Sequence, residues 1–250
     1  MIRKRLFDVF IPLITFLTLF ALWEFLARAT GTPKWILPKP SDIIRSMIVN
    51  FSDFWPHILV TLQTALFGFI IAVPIGIAIA TAISSSKFVS NALAPYITVL
   101  VVTPLLALVP LLMLIFGYGM RMRIIAVVIQ TFGIVNMNSC TGFLNVPVMR
   151  RELMQSIGAS RTQTFFKMMV PSAATDIFSG VRLAGIFCTT ACISTEYVGG
   201  NMGLGSQIIK YSQFLKTTES FACIFFVAIV GIIMFSLISF IQKKTIFWKI

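Results

Sequence analysis

Four stretches of this chain carry no charged residue for longer than a helix needs to cross a bilayer. Between Asp53 and Lys87 lie 33 uncharged residues, between Lys87 and Arg121 another 33, between Arg123 and Arg150 26, and between Glu219 and Lys243 23. The hydrocarbon core takes about 20 helical residues. The runs are continuous, as in Phe69-Ile70-Ile71-Ala72-Val73, and lack the two-residue alternation of barrel strands. Lipid offers no partner to backbone polar groups, so such runs must satisfy them internally as helices. With 58% hydrophobic and 11% charged residues, the 250-residue chain is not a soluble globular enzyme, a disordered segment or a collagen-like fibre.

Two further spans carry charges. Phe7 to Arg28 contains Asp8 and Glu24; Asp176 to Val198 contains Arg182 and Glu196. Arg182 and Glu196 are 14 residues apart, about 21 Å along a helix, so each can sit near one interface. The expectation is an all-α membrane protein of about six transmembrane helices, one domain over residues 1–250, with Pro74, Pro104 and Pro110 bending their helices. Arg3-Lys4-Arg5 followed by an apolar run mimics a secretory signal, but Trp23 and Glu24 crowd the approach to the Ala27-Arg28-Ala29 site, which favours a retained first helix. With both termini in the cytoplasm, 12 of the 20 Lys and Arg fall on the cytoplasmic side and 8 outside, the sign the positive-inside rule requires.

The net charge of +12 comes from cations placed between apolar runs, which suits anionic lipid headgroups and not nucleic acid. Cys140, Cys188, Cys192 and Cys223 lie in apolar segments without a CxxC pair, so core packing is expected. His57 stands beside Trp55 and Pro56 as an aromatic-belt residue. No metal cluster, catalytic triad or Gly-x4-Gly-Lys-Ser/Thr phosphate loop occurs; no metal or cofactor is expected, and ATP hydrolysis would fall to another chain.

Residues 145–175 form a long loop on the cytoplasmic side. Leu153, Met154 and Ile157 make an apolar stripe at helical spacing, Gly158 suits a helix end, and Pro171 is expected to close the segment. Such a segment is either a docking knob for a partner or an interfacial helix resting on lipid. Within the spans, Gln130, Asn136, Asn138, Ser194 and Glu196 are candidates for a polar path, or for hydrogen bonds that join helices. Glu196, near the outer interface, could gate, pair with Lys210 or be solvated. The Gly199–Glu219 segment reads as an external loop with glycine turns.

The loop Glu152-Leu-Met, three residues, Gly158, nine residues, Met168, one residue, Val170-Pro171 resembles the EAA loop of ABC-transporter inner-membrane permeases, with Glu, Gly and Pro in register. Leu37-Pro38-Lys39-Pro40-Ser41, Trp23-Glu24, Phe116-Gly117-Tyr118-Gly119 and Glu196 before Gly203-Leu204-Gly205 resemble elements of the nitrate/sulfonate/taurine-type branch. The resemblance implies a bacterial inner-membrane permease of a binding-protein-dependent importer for a small organic solute or oxyanion. It further implies a permease homodimer, two cytosolic ATPase subunits and an extracytoplasmic substrate-binding protein. Gly158, Ala159, Ser160, Arg161 and Thr164 would meet the ATPase groove, with Glu152 and Pro171 fixing the loop. The rival is a secondary transporter or channel driven by an ion gradient, although neither an inverted repeat nor a midmembrane charge relay is evident.

Overall fold

A computed structural model describes the backbone of residues 2–245 and the side chains of residues 10–245. Among them every regular element is helical. The long helices are α1 (Ile2–Ala29), α3 (Phe51–Ser85), α6 (Met120–Leu144), α9 (Val170–Gly199) and α11 (Thr217–Thr245). Between them lie α2 (Pro40–Val49), α4 (Lys87–Val102), α5 (Leu105–Phe116), α7 (Val148–Ser156), α8 (Arg161–Thr164) and α10 (Leu204–Gln213). Five helical stretches are long and apolar enough to cross a membrane, and α4 with α5 makes a sixth candidate.

The core is α3, α6 and α9 packed on one another, with α11 along α9 and α10 across α9, α11 and α3. Lipid tails supply no hydrophobic drive between helices, so close approach depends on small side chains. The buried face of α3 carries Thr61, Ala65, Gly68, Ala72, Gly76 and Ala80, spaced by three or four residues. A Cβ on Gly76 would stand 2.7 Å from the Phe132 carbonyl of α6, and one on Gly142 would stand 2.8 Å from Asp176 Cβ of α9. Asn136 Nδ2 donates to Gly76 O at 3.3 Å and fixes the register of α6 on α3.

Two expectations are corrected and one is sharpened. The bend expected at Pro104 is a full break: α4 and α5 meet at 103°. Thr103 and Pro104 both adopt extended backbone there, because the proline ring disfavours helix at the residue before it and removes an N–H. Pro171 does not close the loop: the helical segment runs unbroken from Arg161 to Gly199. A π-helical stretch, Phe165–Met169, precedes the ring, and Val170 N–H bonds back to Phe165 O. That wider turn shifts the hydrogen-bond register so that the proline is accommodated. Finally, the segment after Gly199 is more than glycine turns, since it contains α10, whose first five residues are buried.

All four thiols are free, and Cys188, Cys192 and Cys223 are fully buried, as core packing requires. The first helix is peripheral. Only Ala27 is buried among its described side chains, while Trp23 packs on Phe221 and Phe20 on Phe225.

Candidate functional site

The polypeptide after α6 turns back through α7 and α8 in a bend held by local hydrogen bonds. Ala159 N–H donates to Met154 O at 2.9 Å and Gly158 N–H to Gln155 O at 3.0 Å. These are the 6→1 and 5→2 bonds that end a helix when the residue after the cap is left-handed. Gly158 has φ +72°, and nothing lies within 4 Å of a Cβ built there. Its requirement is therefore backbone angle, not space. Ser160 then starts α8 with a reciprocal capping box: Gln163 N–H donates to Ser160 Oγ at 3.2 Å, and Ser160 N–H to Gln163 Oε1 at 2.9 Å.

The bend is tied to the spans behind it. Arg151 Nη2 donates to Phe143 O of α6 at 2.8 Å, and Arg150 Nη1 to Ser172 Oγ of α9 at 3.1 Å, beside Pro171. Both arginines are thus engaged elsewhere; Glu152 is exposed and, among the described residues, forms no ion pair with them. The outward surface stays apolar, with Leu153 60% and Ile157 67% exposed. Ser160 and Arg161 are exposed beside them, and Ala159 and Thr164 half-buried.

At the other end of α9 sits a second cluster. Glu196 is fully buried. Thr61 Oγ1 donates to its two carboxylate oxygens at 2.9 and 3.0 Å, and Gly205 N–H donates to Oε2 at 2.8 Å. Thr61 Oγ1 also accepts from Leu204 N–H at 2.9 Å, and His57 Nδ1 accepts from Gly203 N–H at 3.2 Å. Three N–H groups at the start of α10, which no turn of that helix can satisfy, are therefore capped by side chains of α3 and α9. A carboxylate also complements the positive end of the helix dipole. Glycines fit because any Cβ at Gly203 or Gly205 would run into Glu196. Glu196 neither pairs with Lys210 nor is solvated. Arg123, in the first turn of α6, is 9% exposed and donates through Nη1 to Met202 O at 2.9 Å. His57, Thr61 and Arg123 are partners that their spacing in sequence did not signal.

The polar residues of the spans do not converge within the chain. Asn136 bonds to α3; Asn138 Nδ2 bonds to Ile134 O of its own helix at 2.9 Å and packs on Gly180; Ser194 Oγ bonds to Thr190 O at 3.1 Å. Gln130 is half-buried and Glu196 caps α10. Glu24, in the last two turns of α1, receives Ser41 N–H at 3.0 Å and Ser41 Oγ at 2.9 Å, which ties the Trp-Glu element to the Leu-Pro-x-Pro-Ser element.

Five or six membrane-length helices with an exposed bend between two of them define a polytopic membrane protein. The same fold occurs in a solved amino acid ABC transporter crystallised with histidines, with TM-score 0.63 and 19% identity over 80% of this chain and 97% of that one. Residues 72–246 match the family of binding-protein-dependent transport system inner membrane components, and the chain belongs to that family. It is 28% identical to the formylaminopyrimidine transport permease of Halalkalibacterium halodurans, over 98% of each chain. It is 26% identical to the taurine transport system permease of Escherichia coli, over 94% of this chain and 88% of that one. The protein is accordingly an integral inner-membrane permease subunit of a binding-protein-dependent importer, and not a gradient-driven carrier or an enzyme.

Proposed function

We propose that residues 1–250 act as one permease domain in which the 145–175 bend is gripped by cytosolic ATPase subunits. The observation that carries this is the bend itself: a rigid, internally hydrogen-bonded corner with Leu153 and Ile157 left bare. Apolar side chains held in water on a fixed helix suit insertion into a groove. Gly158, Ala159, Ser160, Arg161 and Thr164 form the contact; Glu152 flanks it, and Pro171, at the base of α9, fixes its angle. Both termini are cytoplasmic, and two copies of the chain enclose the path, which the half-buried Gln130, Asn138 and Ser194 help to line, whereas Asn136 is buried in the joint of α6 with α3. An extracytoplasmic binding protein delivers a small organic solute or oxyanion, in keeping with relatives that transport formylaminopyrimidine or taurine. ATP-driven closure of the motor moves the corner and switches the bundle between two packed states.

The test is co-purification and uptake. The wild-type permease should retain its ATPase partner and transport only with ATP in proteoliposomes. Gly158→Asp should lose both while its unfolding temperature falls by no more than a few degrees, the strain of a non-glycine residue at the left-handed corner. Intact ATPase association in that variant refutes the assignment of the corner.

A further inference from the structure

The bend also roofs a cavity of about 360 Å³ between its short helices and the neighbouring end of α3. Its polar lining comes from three elements: Ser84 and Ser85 of α3, Arg151 and Gln155 of α7, Arg161 and Thr164 of α8. Among the described residues that line it there is no carboxylate, and neither guanidinium has an ion-pair partner. Arg151 spends Nη2 on the Phe143 carbonyl, but its Nε is buried without an acceptor, and so is Ser84 Oγ. Leaving such groups unmet is costly, and two cations facing one cavity repel each other as well.

Water could satisfy the hydroxyls but would leave the charge uncompensated. An anion does both. Two guanidiniums, one amide and the hydroxyls of Ser84 and Thr164, with those of Thr81 and Ser85 spent on Ile77 O and Ala82 O, exceed what a planar carboxylate can accept and are spread around the cavity, which suits a tetrahedral oxyanion. The volume leaves room for an ester substituent. We propose that this cavity is a binding site for a phosphoryl group, with Arg151 and Arg161 as its charged ligands, supplied either by a phospholipid headgroup at this end of α3 or by phosphate in solution. An occupied site cross-links α3, α7 and α8 and stiffens the corner against the bundle. The proposal goes beyond ATPase docking and is tested without it.

The full chain is placed in nanodiscs of phosphatidylcholine alone or with phosphatidylglycerol, with and without inorganic phosphate, against chloride at matched ionic strength. Unfolding is followed through the buried thiols, and native mass spectrometry follows retained lipid. Binding raises the unfolding temperature in a saturable manner. A shift with inorganic phosphate identifies the soluble source; a shift with phosphatidylglycerol, together with retained lipid, identifies the headgroup. Arg151→Gln and Arg161→Gln each weaken the response by about tenfold or more, the loss of one charge-assisted hydrogen bond. Arg161 makes no side-chain hydrogen bond among those described, so Arg161→Gln should fold normally even where Arg151→Gln does not. The proposal is overturned if neither ligand exceeds chloride, if Arg161→Gln responds like wild type, or if the cavity proves to be filled by an acidic side chain of the ATPase.

Discussion

Thr61 offers the sharpest test of how the outer end is built. Its hydroxyl donates to the Glu196 carboxylate and accepts from Leu204 N–H, so one oxygen joins α3, α9 and α10. Thr61→Val keeps the shape and removes both bonds. Side-chain hydrogen bonds inside membrane proteins average about 0.6 kcal/mol and reach about 1.7. The bond here goes to a carboxylate, for which about 1.5–3 kcal/mol is usual, and the orphaned Leu204 N–H adds about 1–3. The extra buried methyl returns about 0.8 kcal/mol. The net loss is about 2–5 kcal/mol, and at about 2–4 °C per kcal/mol for a chain of this size the unfolding temperature drops by at least about 4 °C. A thiol-reactive dye reads this directly, because Cys188, Cys192 and Cys223 are fully buried until the fold opens. Thr64→Val is the control: Thr64 is equally buried, but its hydroxyl bonds only to Val60 O of its own helix. Thr61→Ser should stay close to wild type. Equal unfolding temperatures for Thr61→Val and Thr64→Val would refute the account of α10 as a helix capped from its neighbours.

Gly76→Val forces a side chain against the Phe132 carbonyl and Val135, neither of which can rotate away; overpacking of this kind costs about 1–3 kcal/mol or more, and the yield of monodisperse protein in detergent should collapse. Asn136→Leu should cost only about 1 kcal/mol, since a single interhelical bond is lost, and size-exclusion profiles should remain normal with unfolding lowered by a few degrees. Glu24→Gln weakens the hold on Ser41, so trypsin should cut at Lys34 sooner than in wild type, while the unfolding of the bundle is unchanged.

Much of the architecture follows from where charges are missing, because lipid penalises them so heavily that the spans mark themselves. The corner was legible for a similar reason: Gly158 and Ser160 are cheap solutions to local backbone problems, and local problems leave local signals. What escaped depends on contacts distant in sequence. The bend at Thr103 needed a decision between kinking and breaking, which Pro104 alone does not make. Pro171 reads as a terminator unless the π-turn before it is known. Thr61 and Glu196 lie 135 residues apart, and neither carries a mark of the other. The small-residue face of α3 was present in the sequence at regular spacing, but its significance lies in the backbone of α6 that approaches it.

The way α1 is attached has a consequence for how this chain can vary. From Phe10 to Leu19 its large apolar side chains are each about half exposed or more, and the described attachments fall at Phe20, Trp23 and Glu24. Selection on its first turns can therefore act on solubility in a bilayer, or on a second subunit, but hardly on fit within this one. Substitutions there should accumulate freely among apolar residues, while the final two turns drift slowly. An unrelated hydrophobic segment grafted upstream of Phe20 should leave the rest of the molecule assembled.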